Sequence, residues 1–469
     1  MTDHGLFPQI ALGLWVPLAI GLFFVLRAPV AAAVAVLGAE MFLPELVEFR
    51  IPWVPPLDKH NLPYIAVLIG CLLTCPARVM RLPRERWFLL LSLALLVGGI
   101  FTGLTNADPM PRFNLTTLPG LTIKDGLFTS ISRLTWVAVP FYLGSVLYRT
   151  PRDLADLLKV FAICGLLYIP FSLVELRLSP QFHRWIYGYG QHSFDQTLRW
   201  GGYRPMVFMS HGLALARFFL VATLAVFILG GVRQRLLGLP VVLWGTVLFV
   251  MLLLCKSTGA IIYACLALPA LWWLGVKSRI WIALALAAVV FTYPLLRTAD
   301  LIPTKGILET AQVLGPERTQ SLAFRFQNEN VLLTKARDRF GFGWGEYGRN
   351  TVFDAYGGRA VGDGYWIIEV GITGLWGYLC SFGILLIPIL LARRRLKRIP
   401  SPPDRRLIAG TAFLLGILAL DLIPNGLWAV YPYLIAGALA GLTRALAEAP
   451  AETHEVPDGH PAWDEPAAA

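Results

Sequence analysis

Charge is scarce in this sequence. Of 469 residues only 15% are Asp, Glu, Lys or Arg, and 56% are hydrophobic. Soluble globular domains hold about 25% charged and about 45–50% apolar residues. A soluble core of this size would also be built from helices with one charged face, which residues 10–26 and 241–255 do not have. Each such block approaches the roughly 20 apolar residues that a bilayer-spanning helix needs. Cysteine is nearly as scarce. Cys71, Cys75, Cys164, Cys255, Cys265 and Cys380 all fall inside or at the ends of apolar segments, where they read as small buried side chains. Cys71 and Cys75 stand four apart, but no neighbouring histidine or second pair completes a metal site. No acidic cluster offers one either, so neither a metal nor another cofactor is expected. The first nine residues contain no Lys or Arg. A secretory n-region is therefore missing, and the first apolar segment is expected to stay as a span. The seven histidines form no persuasive Ser–His–Asp or Cys–His order.

What basic charge there is lies between the apolar blocks. The formal net charge of +11 does not point to nucleic acid, because confinement to short connections marks membrane orientation. Spans are expected near 10–26, 29–46, 62–77, 87–105, 128–148, 156–176, 206–229, 236–254, 258–275, 279–297, 364–391, 407–424 and 428–446. The second and third are the weakest of the thirteen. Five basic clusters then fall on one side: Arg78 to Arg86, Arg149 with Arg152, Arg233 with Arg235, Lys277 with Arg279, and Arg393 to Arg406. That side is assigned as cytoplasmic, which puts the N-terminus outside and the C-terminus inside. The expected fold is all-α: a polytopic transmembrane helical bundle of about 12–13 spans over residues 1–447, with one large, partly helical extracytoplasmic loop. The tail over 448–469 is rich in Ala, Pro and acidic residues and reads as disordered and cytoplasmic.

The large loop, 298–363, holds 66 residues with eight basic and eight acidic side chains. Loops of that length are commonly functional. Its middle reads as a helix in which Arg318 and Arg325 share a face, with Glu329 one turn beyond. Gly341-Phe342-Gly343-Trp344-Gly345 should end it in a tight, exposed turn. Two readings compete. The helix could lie in the headgroup layer, or it could be a lid whose arginines hold an anionic substrate, the planar guanidinium suiting diphosphate oxygens. The glycine run is no nucleotide loop, since Gly-Lys-Ser/Thr is missing.

Other polar residues stand at or inside apolar segments. Arg204 and His211 are seven apart and would share a face if the seventh helix began early. Arg217 lies deeper, where a cation faces a cavity or a partner; Glu40, Glu175 and Asp421 are the structural partners on offer. Lys256, in Lys256-Ser257-Thr258-Gly259-Ala260, could snorkel to lipid phosphate. Asp421 and Asn425 read as a structural i, i+4 pair, and Glu369 could face the same cavity as Asp363.

In order and spacing, four pieces of residues 195–390 resemble the O-antigen ligase and polymerase family of bacterial envelope enzymes. They are Arg204-Pro205 through His211-Gly212, Lys256 to Ala260, Arg325 through the glycine run, and Asp363-Gly364-Tyr365 with Glu369, Gly371, Gly374 and Leu375. The resemblance implies a helical glycosyltransferase of the GT-C kind at the outer face of the bacterial inner membrane. It would pass a glycan from undecaprenyl diphosphate to a sugar hydroxyl of a saccharide acceptor, with other polysaccharide-assembly membrane proteins as further partners. Arg204 and Arg325 would hold the diphosphate, with Lys256 or Arg318 as additional cations. Asp363 is the first candidate for the base, His211 and Glu329 the second. Ligases of the family carry a histidine where this chain has Asp363, so the resemblance speaks for the reaction class more than for the acceptor. The rival classes are a transporter or flippase for a lipid-linked or polar solute, and a scaffold for an assembly complex. A transporter would need related halves and paired broken helices, and no internal repeat is evident.

Overall fold

A backbone set among apolar side chains must satisfy its own N–H and C=O groups, and a helix does so within one segment. In the computed structural model every one of the thirteen apolar stretches is helical. The structure describes the chain except residues 1–4, 53, 81–82, 84, 113–116, 237, 355, 428 and 449–469, and except the side chains of residues 314, 317 and 318. The tail expected to be disordered therefore lies outside the described residues from 449 on.

The first half runs α1 (Leu6–Val25), α2 (Ala28–Phe42), α3 (Leu62–Thr74), the single turn α4 (Pro76–Val79), α5 (Arg86–Thr105), α6 (Ile123–Leu147), α7 (Pro151–Leu178) and the short α8 (Phe182–Tyr187). The second half runs α9 (Gly212–Gly230), α10 (Val241–Leu254), α11 (Thr258–Trp273), α12 (Val276–Thr298), α13 (Thr304–Ala311), α14 (Pro316–Asp338), α15 (Tyr365–Arg395), α16 (Pro402–Asp421) and α17 (Tyr431–Glu448). Among the described residues six helices are long and apolar enough to cross a membrane, namely α1, α5, α7, α9, α12 and α15. Four shorter apolar helices, α2, α3, α10 and α11, accompany them. Among the described residues the strands form three two-stranded hairpins in the connections.

Small residues let the helices meet backbone to backbone, as membrane bundles require. A Cβ on Gly437 of α17 would sit 2.0 Å from the Phe141 carbonyl of α6, and one on Gly126 of α6 would sit 2.0 Å from the Gly99 carbonyl of α5.

Polar contacts sort the connections between two ends of the bundle. At one end Arg27 pairs with Asp153 and Asp156, both at 2.7 Å, and Glu85 takes Arg395 at 2.7 Å and Arg444 at 3.6 Å. The same end holds one cavity walled by Arg78 and Arg149, another by Arg233, Arg279 and Arg406, and a third by Lys277, Arg393 and Arg406. All five basic clusters thus gather at one end. At the other end Lys59 joins Glu45 to the Phe208 carbonyl, and Arg349 joins the 298–363 segment to the Asp108 and Pro119 carbonyls.

Candidate functional site

The site is built around the connection from α16 to α17. Pro424 has no N–H to continue α16, and the chain turns there with its carbonyls turned to other helices. The Leu422 carbonyl accepts the Tyr365 N–H that opens α15, at 2.9 Å. The Pro424 carbonyl accepts a guanidinium N–H of Arg325 from α14 at 2.9 Å, and the Leu427 carbonyl accepts Arg217 from α9 at 2.7 Å. Of the three acids weighed for Arg217, Asp421 is the partner, at 3.1 Å, and Asn425 donates to the same carboxylate at 2.6 Å. Glu40 stands against His60 instead. Glu175 accepts the backbone N–H groups of Gln181, Phe182, Met206 and Val207, which fixes the loop leading to α9.

That loop carries Arg204 and His211 otherwise than helix spacing suggests. The seventh apolar helix starts at Gly212, not 206, because the His211 side chain caps it by accepting the Leu213 N–H at 2.9 Å. Arg204 precedes the helix, after a tight hairpin whose turn residues Trp200 and Gly201 both have positive φ. Its guanidinium lies over Gly212, where a Cβ would come within 2.3 Å of the arginine stem. Its nitrogens reach the Cys255 and Lys256 carbonyls, each at 3.3 Å, the C-terminal end of α10 where a cation is favoured. Lys256 donates to the Arg199 carbonyl at 3.1 Å, tying this hairpin to the α10–α11 junction; burial holds its ammonium below the usual lysine range.

Arg204 and Arg325 stand over a hundred residues apart in the chain, yet both charges act on His211. Burial first, then Arg204, His192, Arg199 and Arg325, push the His211 imidazole down to about 3. Its Nδ1 is engaged as helix cap and its Nε2 lies 3.1 Å from the Gln196 side-chain oxygen, which puts the proton on Nε2. His211 is a neutral positioning group with no lone pair to spare for a hydroxyl proton.

Asp363 is placed differently. It lies beside the α16–α17 connection, and its Oδ2 is buried without a hydrogen-bond partner. Burial pushes its carboxyl up, against the pull of the Arg325 charge. Glu329, the other carboxylate considered as base, is clamped by Arg297 at 2.6 Å and by the Tyr293 hydroxyl at 3.3 Å. It fastens α14 to α12, and burial raises its carboxyl while Arg297 opposes. The side chain of Arg318 lies outside the described residues. Glu369 does not join Asp363. It is fully buried and accepts from Tyr365, Ser381 and Thr373, with Arg133 of α6 at 3.6 Å.

Two features had no sequence signal that could be used. Glu346, past the glycine run, reaches the same Arg133 at 3.6 Å and so ties the loop to α6. A groove of about 450 Å³ runs along α14 from Leu332 to Ala336, walled by Trp344, Asn350, Arg359 and Gly362. Gly362, the residue before Asp363, lines it. Among the described residues Lys335 and Arg359 are its charged walls, and no carboxylate lines it.

The depressed imidazole has a consequence for stability. The unfolded chain binds a proton at His211 below about pH 6.5 that the folded chain refuses until about pH 3. This stabilisation is complete above pH 6.5 and is lost as pH falls. At pH 4.5 the loss from this one group should be about 2–3 kcal/mol. Thermal melts of detergent-purified protein at pH 7 and 4.5 check it. His211→Asn, which keeps a capping side chain, should lose visibly less than wild type, and equal losses would exonerate the histidine. Neither a family model nor a curated protein matches the chain.

Proposed function

We propose that this protein is an envelope glycosyltransferase of the O-antigen polymerase or ligase type, moving a glycan from undecaprenyl diphosphate to a sugar hydroxyl. The chain crosses the bacterial inner membrane thirteen times, N-terminus outside and C-terminus inside, and the 298–363 segment is extracytoplasmic. One observation carries the reading. The Arg204 and Arg325 charges both act on His211, and the Arg325 charge acts also on Asp363, a carboxylate with an unpartnered buried oxygen.

The chemistry assigns each group a part. Attack of the acceptor hydroxyl on the anomeric carbon breaks the bond from that carbon to the diphosphate oxygen. The leaving diphosphate keeps the electron pair, and Arg204 and Arg325 stabilise the added charge in a site of low dielectric. The hydroxyl proton passes to Asp363. The activated donor supplies the driving force, so no nucleotide is needed. His211 and Glu329 position the loop and the lid helix α14, and the groove beside Asp363 receives saccharide.

Purified protein, an undecaprenyl-diphosphate oligosaccharide and a saccharide acceptor make the test. Laddered or gel-shifted product is expected. Solute uptake by proteoliposomes without product would make the protein a transporter, and neither result would leave a scaffold.

A further inference from the structure

At the end of the bundle opposite Arg325, three helix ends meet around a cavity of about 740 Å³. Its charged rim is Lys277 at the start of α12, Arg393, Arg394 and Lys397 around the end of α15, and Arg405 and Arg406 near the start of α16. No carboxylate lines it among the described residues, and the rest of its described wall is apolar, with Val276, Ile280 and Trp281. Arg393 stacks over Trp281 at 4.0 Å, and Arg405 keeps a buried Nε without a hydrogen-bond partner. A second cavity of about 580 Å³ shares Val276 and Arg406 with the first and adds Arg233 and Arg279.

Membrane orientation alone asks only that basic residues lie on one side. It does not ask that six of them from three helix ends face one apolar-walled hollow, where they stand within a screening length and repel. A bound polyanion removes that cost. The tryptophans here identify its source. Trp272, Trp273 and Trp281 are 61%, 76% and 49% exposed, and exposed indoles belong at the level of lipid headgroups. A basic hollow between helices at that level suits phosphate with acyl chains beneath it. The two cavities adjoin at Val276 and Arg406 in one trough and hold eight basic side chains between them, more positive charge than one phosphate neutralises.

We propose that this trough binds an anionic phospholipid whose headgroup carries two phosphates. The site is independent of the glycan-transfer reading. Its test uses the full chain in neutral detergent, titrated with cardiolipin, phosphatidylglycerol, phosphatidylcholine or inorganic pyrophosphate. Cardiolipin should raise the melting temperature by several degrees, phosphatidylglycerol less, and phosphatidylcholine and pyrophosphate not at all. Cardiolipin binding should weaken at least tenfold in the triple variant Arg394→Gln, Lys397→Gln, Arg406→Gln. It should hold in a control that removes three charges at the same end outside the trough, Arg86→Gln, Arg152→Gln, Arg398→Gln. Equal shifts with cardiolipin and phosphatidylcholine would overturn the site. A pyrophosphate shift matching that of cardiolipin would replace the lipid with a soluble ligand. Equal weakening in the two triple variants would reduce it to bulk charge. The wild-type titrations decide the matter even where the trough variant does not fold.

Discussion

Arg325→Ala should lower glycan transfer by about a hundred- to a thousand-fold while the protein still reaches the membrane at its normal level. That is the usual cost of removing one donor aimed at charge that develops in the transition state. The side chain has little structural work to lose. It is half-buried and donates to one backbone carbonyl, that of Pro424, whereas the neighbouring Glu329 and Arg297 share a close ion pair. Arg325→Lys keeps the charge and loses the fork, so it should recover part of the rate and none of the bidentate geometry. Asp363 gives the companion test. Burial lifts its carboxyl above the ordinary aspartate range, and a base must be ionised. Transfer should therefore fall as pH drops through that raised value, and Asp363→Asn should abolish the acid limb together with about 10²–10⁴ of the rate. Near-normal product from Arg325→Ala would remove the diphosphate clamp, and full activity in Asp363→Asn would remove the base.

The helices were legible because hydropathy is a local property. Each apolar block had to satisfy its own backbone, and each is a helix. The grouping of the basic clusters was legible for the same reason: Arg78, Arg149, Arg233, Lys277 and Arg393 needed only the right number of helices between them, and they do share one end. What failed was anything that depends on backbone groups meeting across the fold. Arg204 and His211 are near neighbours, but through a capped helix start and a hairpin, not through helical spacing. The hub at 422–427 works through carbonyl oxygens, which have no signature in side-chain identity. Glu329 and Arg325 are one turn apart on α14 and go to different partners, α12 and the α16–α17 connection. The pattern of charge along a helix names a face and not its neighbour.

The glycine run is the sharpest such case, and it carries the second large effect. Gly341 to Gly345 is expected from sequence to be an exposed turn; instead Gly343 and Gly345 are buried. The reason lies in α15, which breaks at Gly374, where φ is +69°. The break strands carbonyls at Gly371 and Ile372 and N–H groups at Leu375 and Trp376. The glycine run takes all four. Trp344 and Gly345 donate to the Gly371 and Ile372 carbonyls at 2.9 Å, while the Phe340 and Gly341 carbonyls accept Leu375 and Trp376 at 2.7 and 3.0 Å. Two hydrogen bonds from α5, from Thr102 and Asn106, complete the dock. Any Cβ at Gly374 would lie 2.3 Å from the Gly341 carbonyl, and one at Gly343, where φ is +73°, would lie 2.4 Å from that of Ile372. Either Gly→Ala change adds left-handed strain of about 1–2 kcal/mol to overpacking of about 1–3 kcal/mol. Each variant should lose about 2–5 kcal/mol of stability. Because α14 enters the dock on one side and Asp363 leads into α15 on the other, transfer should fall with it. Gly341→Ala is the internal control: its Cβ meets nothing within 4 Å, and it should melt like wild type. Thermal melts and amide exchange at residues 340–345 measure the difference. Equal behaviour of all three variants would mean that the loop does not hold α15 open, and that Arg325 is brought to its place by some other contact.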